Sequence, residues 1–156
     1  LLYKIKYKYY SVHWIFDRLV IAVALCGTLV RIGNFFNSEI VGVFTNSDYG
    51  VIFQNRGEIL PRHPAQLYEA LGYIILFITL VFIYNKTNLK SKKGFLFGFF
   101  LMFLFVVRFI VEYVKESQGG LEEQLGIFST GQWLSIPFIL MGIGLMIYSY
   151  LSIEKK

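Results

Sequence analysis

The sequence predicts an all-α protein, a polytopic transmembrane helical bundle with four crossings and a substantial loop on its outer face. Three observations carry that expectation. The chain is 56% hydrophobic and 16% charged, with a mean hydropathy of 0.57, outside the balance of a soluble domain. Its apolar residues fall in continuous blocks close to the ~20 residues that span a bilayer as a helix, without the alternation of barrel strands. Lysine groups before the first block, between the second and third, and after the fourth fall on one side only if there are four crossings.

The first crossing is expected over residues 14–36, where Asp17 and Arg18 interrupt its start and Arg31 its end. Its uncharged stretch, 19–30, is too short to span alone, so the flanking charges belong near the headgroups. Residues 37–64 form the long polar segment, holding Asp48, Asn55, Arg56, Gly57 and Glu58. Val51-Ile52-Phe53 before Gln54-Asn55-Arg56-Gly57 is compatible with a strand and turn or with a short surface helix, and a loop of this length often covers a site. The second crossing, 66–84, starts behind Pro64, which suits a first helical turn. The third, 94–114, contains Arg108 and Glu112 and begins with a Gly94-x-x-x-Gly98 pattern that permits close helix approach. The fourth, 132–151, has no charge; Pro137 should bend it or mark a local adjustment, and Gly142 and Gly144 admit a neighbour.

Lys4, Lys6, Lys8, Lys86, Lys90, Lys92, Lys93, Lys155 and Lys156 place both termini in the cytoplasm, with the 37–64 loop outside. The net charge of +5 is therefore read as topology and headgroup contact, with no nucleic-acid partner. One cysteine, Cys26, excludes an intrachain disulfide framework, and two histidines on opposite faces give no metal-ligand spacing. The chain opens on Leu1-Leu2 with no visible signal peptide, and residues 1–156 read as the C-terminal portion of one integral membrane domain.

Three polar clusters on the outer side need a reason to exist inside or beside lipid. Arg108 lies deep in an apolar run, and Glu112, four residues on, shares its face and can pair with it. That pair is either a structural bridge between helices or an anionic-ligand site in which Glu112 fixes a phosphate-binding fork. Arg31, Asn34 and Asn37 recur at spacings that share one helical face, followed by Glu39, with Gly33 and Gly42 available for close contact or a turn. Arg62-His63-Pro64-Ala65-Gln66-Leu67-Tyr68-Glu69 enters the second crossing: His63 can move a proton, Gln66 and Glu69 are capping or network groups, and Tyr68 is an anchor or ligand contact. Enzyme, transporter and structural subunit all remain open on these residues alone.

The same residues give the chain a family likeness. Arg31, Gly33, Asn34, Phe35, Asn37, Glu39 and Gly42 match one pattern, with Val30 where a glycine is expected. His63, Pro64, Gln66, Leu67, Tyr68 and Glu69 match a second, Arg108, Phe109 and Glu112 a third, and Gly131, Gln132, Ser135 and Pro137 a fourth. In this order they resemble the C-terminal portion of the bacterial prolipoprotein diacylglyceryl transferases. Leu104 departs from the family, which has a tyrosine one turn before the arginine; Tyr113 or a neighbouring hydroxyl would have to compensate.

The resemblance implies a multi-pass enzyme of the bacterial inner membrane, with its site towards the outer face. It implies transfer of a diacylglyceryl group from phosphatidylglycerol to a prolipoprotein's lipobox cysteine thiol, with no soluble cofactor. Arg31 and Arg108 would bind phosphate, Glu39 and Glu112 would organise the arginines, and Asn34 and Asn37 would position substrate. His63, Gln66, Tyr68 and Glu69 would be further contacts. Membrane lipids and an upstream portion of the same enzyme are the remaining implied partners.

Overall fold

A computed structural model of the chain describes residues 11–116 and 128–152. It is all-helical, with four helices long and apolar enough to cross a membrane: α1 (Val12–Phe36), α2 (Ala65–Lys86), α3 (Phe95–Val111, extended to Val114 by a 3₁₀ turn) and α4 (Thr130–Leu151). The four expected crossings are present within a few residues of their expected ends. The terminal lysines used for orientation lie outside the described residues.

Each helix start has an identifiable donor arrangement. The Ser11 side chain accepts from the Trp14 N–H at 3.2 Å, and Ser129 forms a capping box with Gln132. Pro64 immediately precedes α2, where its missing N–H costs nothing. For α3 the preceding residue is Gly94, which has no side chain to offer. Asp17 of α1 supplies the cap instead: its carboxylate accepts from Gly94 N–H at 2.6 Å and Phe97 N–H at 2.9 Å. Asp17, expected near headgroups, is in fact buried at 2% exposure, because the free amides of another helix substitute for water.

The helices pack by shape, since lipid tails offer no hydrophobic gain over side chains. Val20 and Ala24 of α1, Leu76, Leu80 and Ile83 of α2, and Leu96, Phe100 and Leu101 of α3 make one buried cluster. Gly98 and Gly142 bring α3 and α4 to backbone contact, since a Cβ on either would lie within 2.8 Å of the other's carbonyl oxygen. Pro137 sits inside α4, which runs on through it.

The 37–64 loop is pinned to the ends of two helices. Gly42 pairs with Lys115, and Arg62 pairs with both Phe44 and Val51. Residues 51–57 combine both expected forms: Val51 exchanges two hydrogen bonds with Arg62, each 2.9 Å, and Gln54–Arg56 then make a 3₁₀ turn ended by Gly57 at φ 72°. Arg62, 5% exposed, donates to the Gly42 carbonyl at 3.0 Å, pairs with Glu58 and with Glu116, and lies 3.8 Å over the Phe44 ring. Arg56 joins the same two carboxylates at 3.1 Å each. The C-terminal ends of α1 and α3, the starts of α2 and α4, and this loop therefore gather at one end of the bundle.

Candidate functional site

At that end, α2 presents a stripe at helical spacing that changes character along its length. Gln66, Glu69 and Tyr73 are buried on the face that continues as Leu76, Leu80 and Ile83. The polar part meets the end of α1, where Arg31 Nε lies 2.9 Å from Glu69 Oε2. Glu69 Oε1 in turn lies 3.9 Å from Lys115 Nζ, and Lys115 Nζ lies 3.6 Å from Glu112 Oε2. The result is a chain of alternating charge, Arg31–Glu69–Lys115–Glu112, with side chains 15%, 1%, 9% and 16% exposed.

Arg108 stands beside this chain and outside it. Among the described residues no ion pair joins it to Glu112, although four residues separate them on one helix; its guanidinium lies 5.7 Å over the Phe105 ring. Glu112 is taken elsewhere, by Lys115 and by α4. Its carboxylate packs so closely on Gly131 that a Cβ there would collide with it. Gln132 Nε2 donates to the Phe109 carbonyl at 3.4 Å and Ser135 to the Gly131 carbonyl at 2.7 Å, fixing that first turn of α4 against the end of α3. In place of the expected pairing with Arg108, Glu112 meets Lys115 three residues on and Gly131 of α4, while the carboxylate that pairs with an arginine is Glu69, on Arg31.

Tyr73 lies in the field of both arginines. Its hydroxyl lies within electrostatic reach of Glu69, Arg31 and Arg108. In the sequence it sits inside an apolar run, although its spacing from Gln66 and Glu69 places it on their face. Leu104 packs against the apolar cluster, and Tyr113, 66% exposed, meets Phe109 edge to face, whereas Tyr73 is a buried hydroxyl on the polar stripe of α2.

The remaining expected residues divide. Asn34 and Asn37 lie at the C-terminal end of α1, and the Asn34 carbonyl accepts from Glu39 N–H at 2.9 Å. Glu39 is exposed, between Ser38 at φ 58° and Ile40 at φ 55°; the latter is a costly backbone for a β-branched residue. The Glu39 carbonyl accepts from Gln66 Nε2 at 2.6 Å, and among the described residues the carboxylate has no ion pair. Gln66 and Glu69 belong to the buried network and do not cap α2. Gly42 is sandwiched between the Val114 and His63 carbonyls, whereas Gly33 has open space where a Cβ would be. His63 Nδ1 and the Tyr68 hydroxyl share a hydrogen bond of 3.2 Å in a separate cleft of about 470 Å³, lined by Tyr49, His63, Tyr68, Ile110, Val111 and Val114.

Comparison with known proteins bears on this arrangement. A family model described as prolipoprotein diacylglyceryl transferase matches residues 1–148. A protein of Tolumonas auensis named phosphatidylglycerol–prolipoprotein diacylglyceryl transferase is 50% identical over 137 residues, covering 87% of this chain and 52% of the relative. Similarly named proteins of Bacteroides fragilis and Chlamydia trachomatis are 41% and 38% identical, over 85% and 94% of this chain and 47% and 53% of theirs. The chain spans about half the length of the curated relatives it matches.

Proposed function

Because this chain belongs to the prolipoprotein diacylglyceryl transferase family, we propose that it forms the phospholipid-phosphate site of an enzyme that moves a diacylglyceryl group from phosphatidylglycerol to a prolipoprotein lipobox cysteine. In that reaction the bond between the diacylglyceryl carbon and the phosphate oxygen breaks as a carbon–sulfur bond forms. The thiol proton is lost and glycerol phosphate leaves. The protein must hold a departing phosphate while its charge grows and must admit a thiolate, the nucleophilic form of cysteine.

The observation that carries this reading is that Arg31 of α1, held by the buried Glu69 at 2.9 Å, and Arg108 of α3 stand at the same end of a membrane bundle, both within electrostatic range of Tyr73. Of the two, Arg31 has its charge balanced by Glu69, while Arg108 lacks a described carboxylate partner. Arg108 is the stronger candidate for the departing phosphate, with Arg31 and Tyr73 completing the donor set. Asn34 and Asn37 would position the headgroup from the end of α1, and the acyl chains would lie along the apolar crossings. The His63–Tyr68 cleft offers a second, less charged surface for substrate. The site would face the outer side of the bacterial inner membrane, with the C-terminus in the cytoplasm. The upstream part found in relatives would complete the enzyme.

The test uses the intact protein in phosphatidylglycerol vesicles with a lipobox peptide, and mass spectrometry of the peptide cysteine. A diacylglyceryl mass increase is expected. Its absence under conditions that support an authentic transferase would overturn the assignment.

A further inference from the structure

From the ion-pair chain we infer that Lys115 is a positioning residue for Arg108: by holding Glu112 away, it leaves the Arg108 guanidinium without a carboxylate partner among the described residues and ready for phosphate. This inference rests on the phosphate-binding role proposed for Arg108. Nothing in the spacing of the motifs singles out Lys115, which lies three residues beyond Glu112 at the end of α3.

Two cations compete for Glu112. Glu112 and Arg108 are four apart on one helix, a spacing at which opposite charges ordinarily meet. An Arg–carboxylate pair at this depth would be tight and would cancel the charge that a phosphate needs. In the structure Glu112 is turned the other way, 3.6 Å from Lys115 Nζ and packed on Gly131 at the start of α4. A carboxylate there also meets the positive end of the α4 dipole. Lys115 is itself held in place: its side chain is 9% exposed, its Nζ lies 3.9 Å from Glu69, and its backbone pairs with Gly42 of the outer loop. One ammonium thus serves two carboxylates, each next to a different arginine. Glu69 stays on Arg31, and Glu112 stays off Arg108.

The prediction separates this role from a purely structural one. In the intact protein, Lys115→Met removes the charge at similar length and frees Glu112 to swing onto Arg108. The KM for phosphatidylglycerol should rise about tenfold, the size expected of coupling within one ion-pair network, while the KM for lipobox peptide stays put. Lys115→Arg should keep the wild-type KM. Adding Glu112→Gln to Lys115→Met removes the competing carboxylate, and the lipid KM should return to that of Glu112→Gln alone. A wild-type lipid KM in Lys115→Met would overturn the inference, as would a double variant whose lipid KM stays about tenfold above that of Glu112→Gln. If Lys115→Met fails to insert, Lys115→Gln takes its place in the same cycle, with the same two outcomes. Wild-type protein that transfers nothing from phosphatidylglycerol would instead refute the function proposed above.

Discussion

Glu69 binds Arg31 across the α1–α2 contact at 2.9 Å while itself almost wholly buried, at 1% exposure. A carboxylate in that position is stabilised only by its cations, and removing one partner of a buried pair typically costs ~3–5 kcal/mol. Glu69→Gln should therefore lower the thermal unfolding midpoint in detergent and also weaken lipid transfer, because Arg31 loses its tether. A midpoint within a degree or two of wild type would show that the pair contributes no net stability.

Asp17 gives a prediction of the opposite kind, at the far end of the bundle from the candidate site. Its carboxylate is the cap of α3, and loss of a cap ordinarily costs ~0.5–2 kcal/mol. Asp17→Ala should destabilise the folded protein by about that amount or somewhat more, given its burial, yet leave transfer per folded molecule unchanged. Unfolding in detergent alongside specific activity checks both halves. A specific activity that falls with stability intact would mean that Asp17 communicates with the site.

The outer loop should be acid-labile. The hydrogen bond from Arg62 holds the Glu58 carboxyl below its ordinary range against the opposing effect of burial, with smaller help from the charge of Arg62 and from Arg56. A depressed folded pKa means that the unfolded segment binds the proton more readily. The stabilisation is thus complete above the ordinary glutamate value and disappears as pH falls through the lowered one. Hydrogen exchange at the Val51 and Arg62 amides, corrected for intrinsic rate, should lose protection below the ordinary glutamate range. In Glu58→Gln that loss should already be present at neutral pH. Identical pH profiles in the two proteins would remove Glu58 from the loop's acid response.

These residues also mark how far the sequence was legible. The four helices follow from block length and charge placement, because a span in lipid leaves the backbone few alternatives. The clusters around Arg31, His63 and Arg108 were visible as charges where charge is costly. Their pairings were not. Spacing along one helix put Glu112 on Arg108, whereas Lys115, just past the end of that helix, and the start of α4 take it instead. Glu69 read as a network or capping group at the start of a crossing, and only the approach of α1 identifies it as the partner of Arg31. Tyr73 was hidden for the related reason that one tyrosine in an apolar helix resembles an interfacial or packing residue until the fold brings Glu69 and two arginines within electrostatic range of it.

Arg108 is the residue on which the proposed chemistry depends most. Among the described residues it has no carboxylate partner, and its guanidinium shares the neighbourhood of Tyr73 with Arg31. Lysine at this position would keep the charge but exchange a planar fork of donors for a compact ammonium, so charge alone should not suffice. Losing one well-placed donor to a developing anion costs ~3 kcal/mol, equivalent to about a hundredfold in rate. Arg108→Lys should insert and fold nearly as wild type does, and Arg108→Ala somewhat less well. Both should lose diacylglyceryl transfer by about two orders of magnitude at saturating phosphatidylglycerol and matched folded protein. The informative contrast is between binding and turnover. A guanidinium that acts mainly as negative charge develops should lower kcat more than it raises the KM for lipid. Folded Arg108→Ala protein that transfers at the wild-type rate would make Arg108 a scaffold element and leave the phosphate to Arg31.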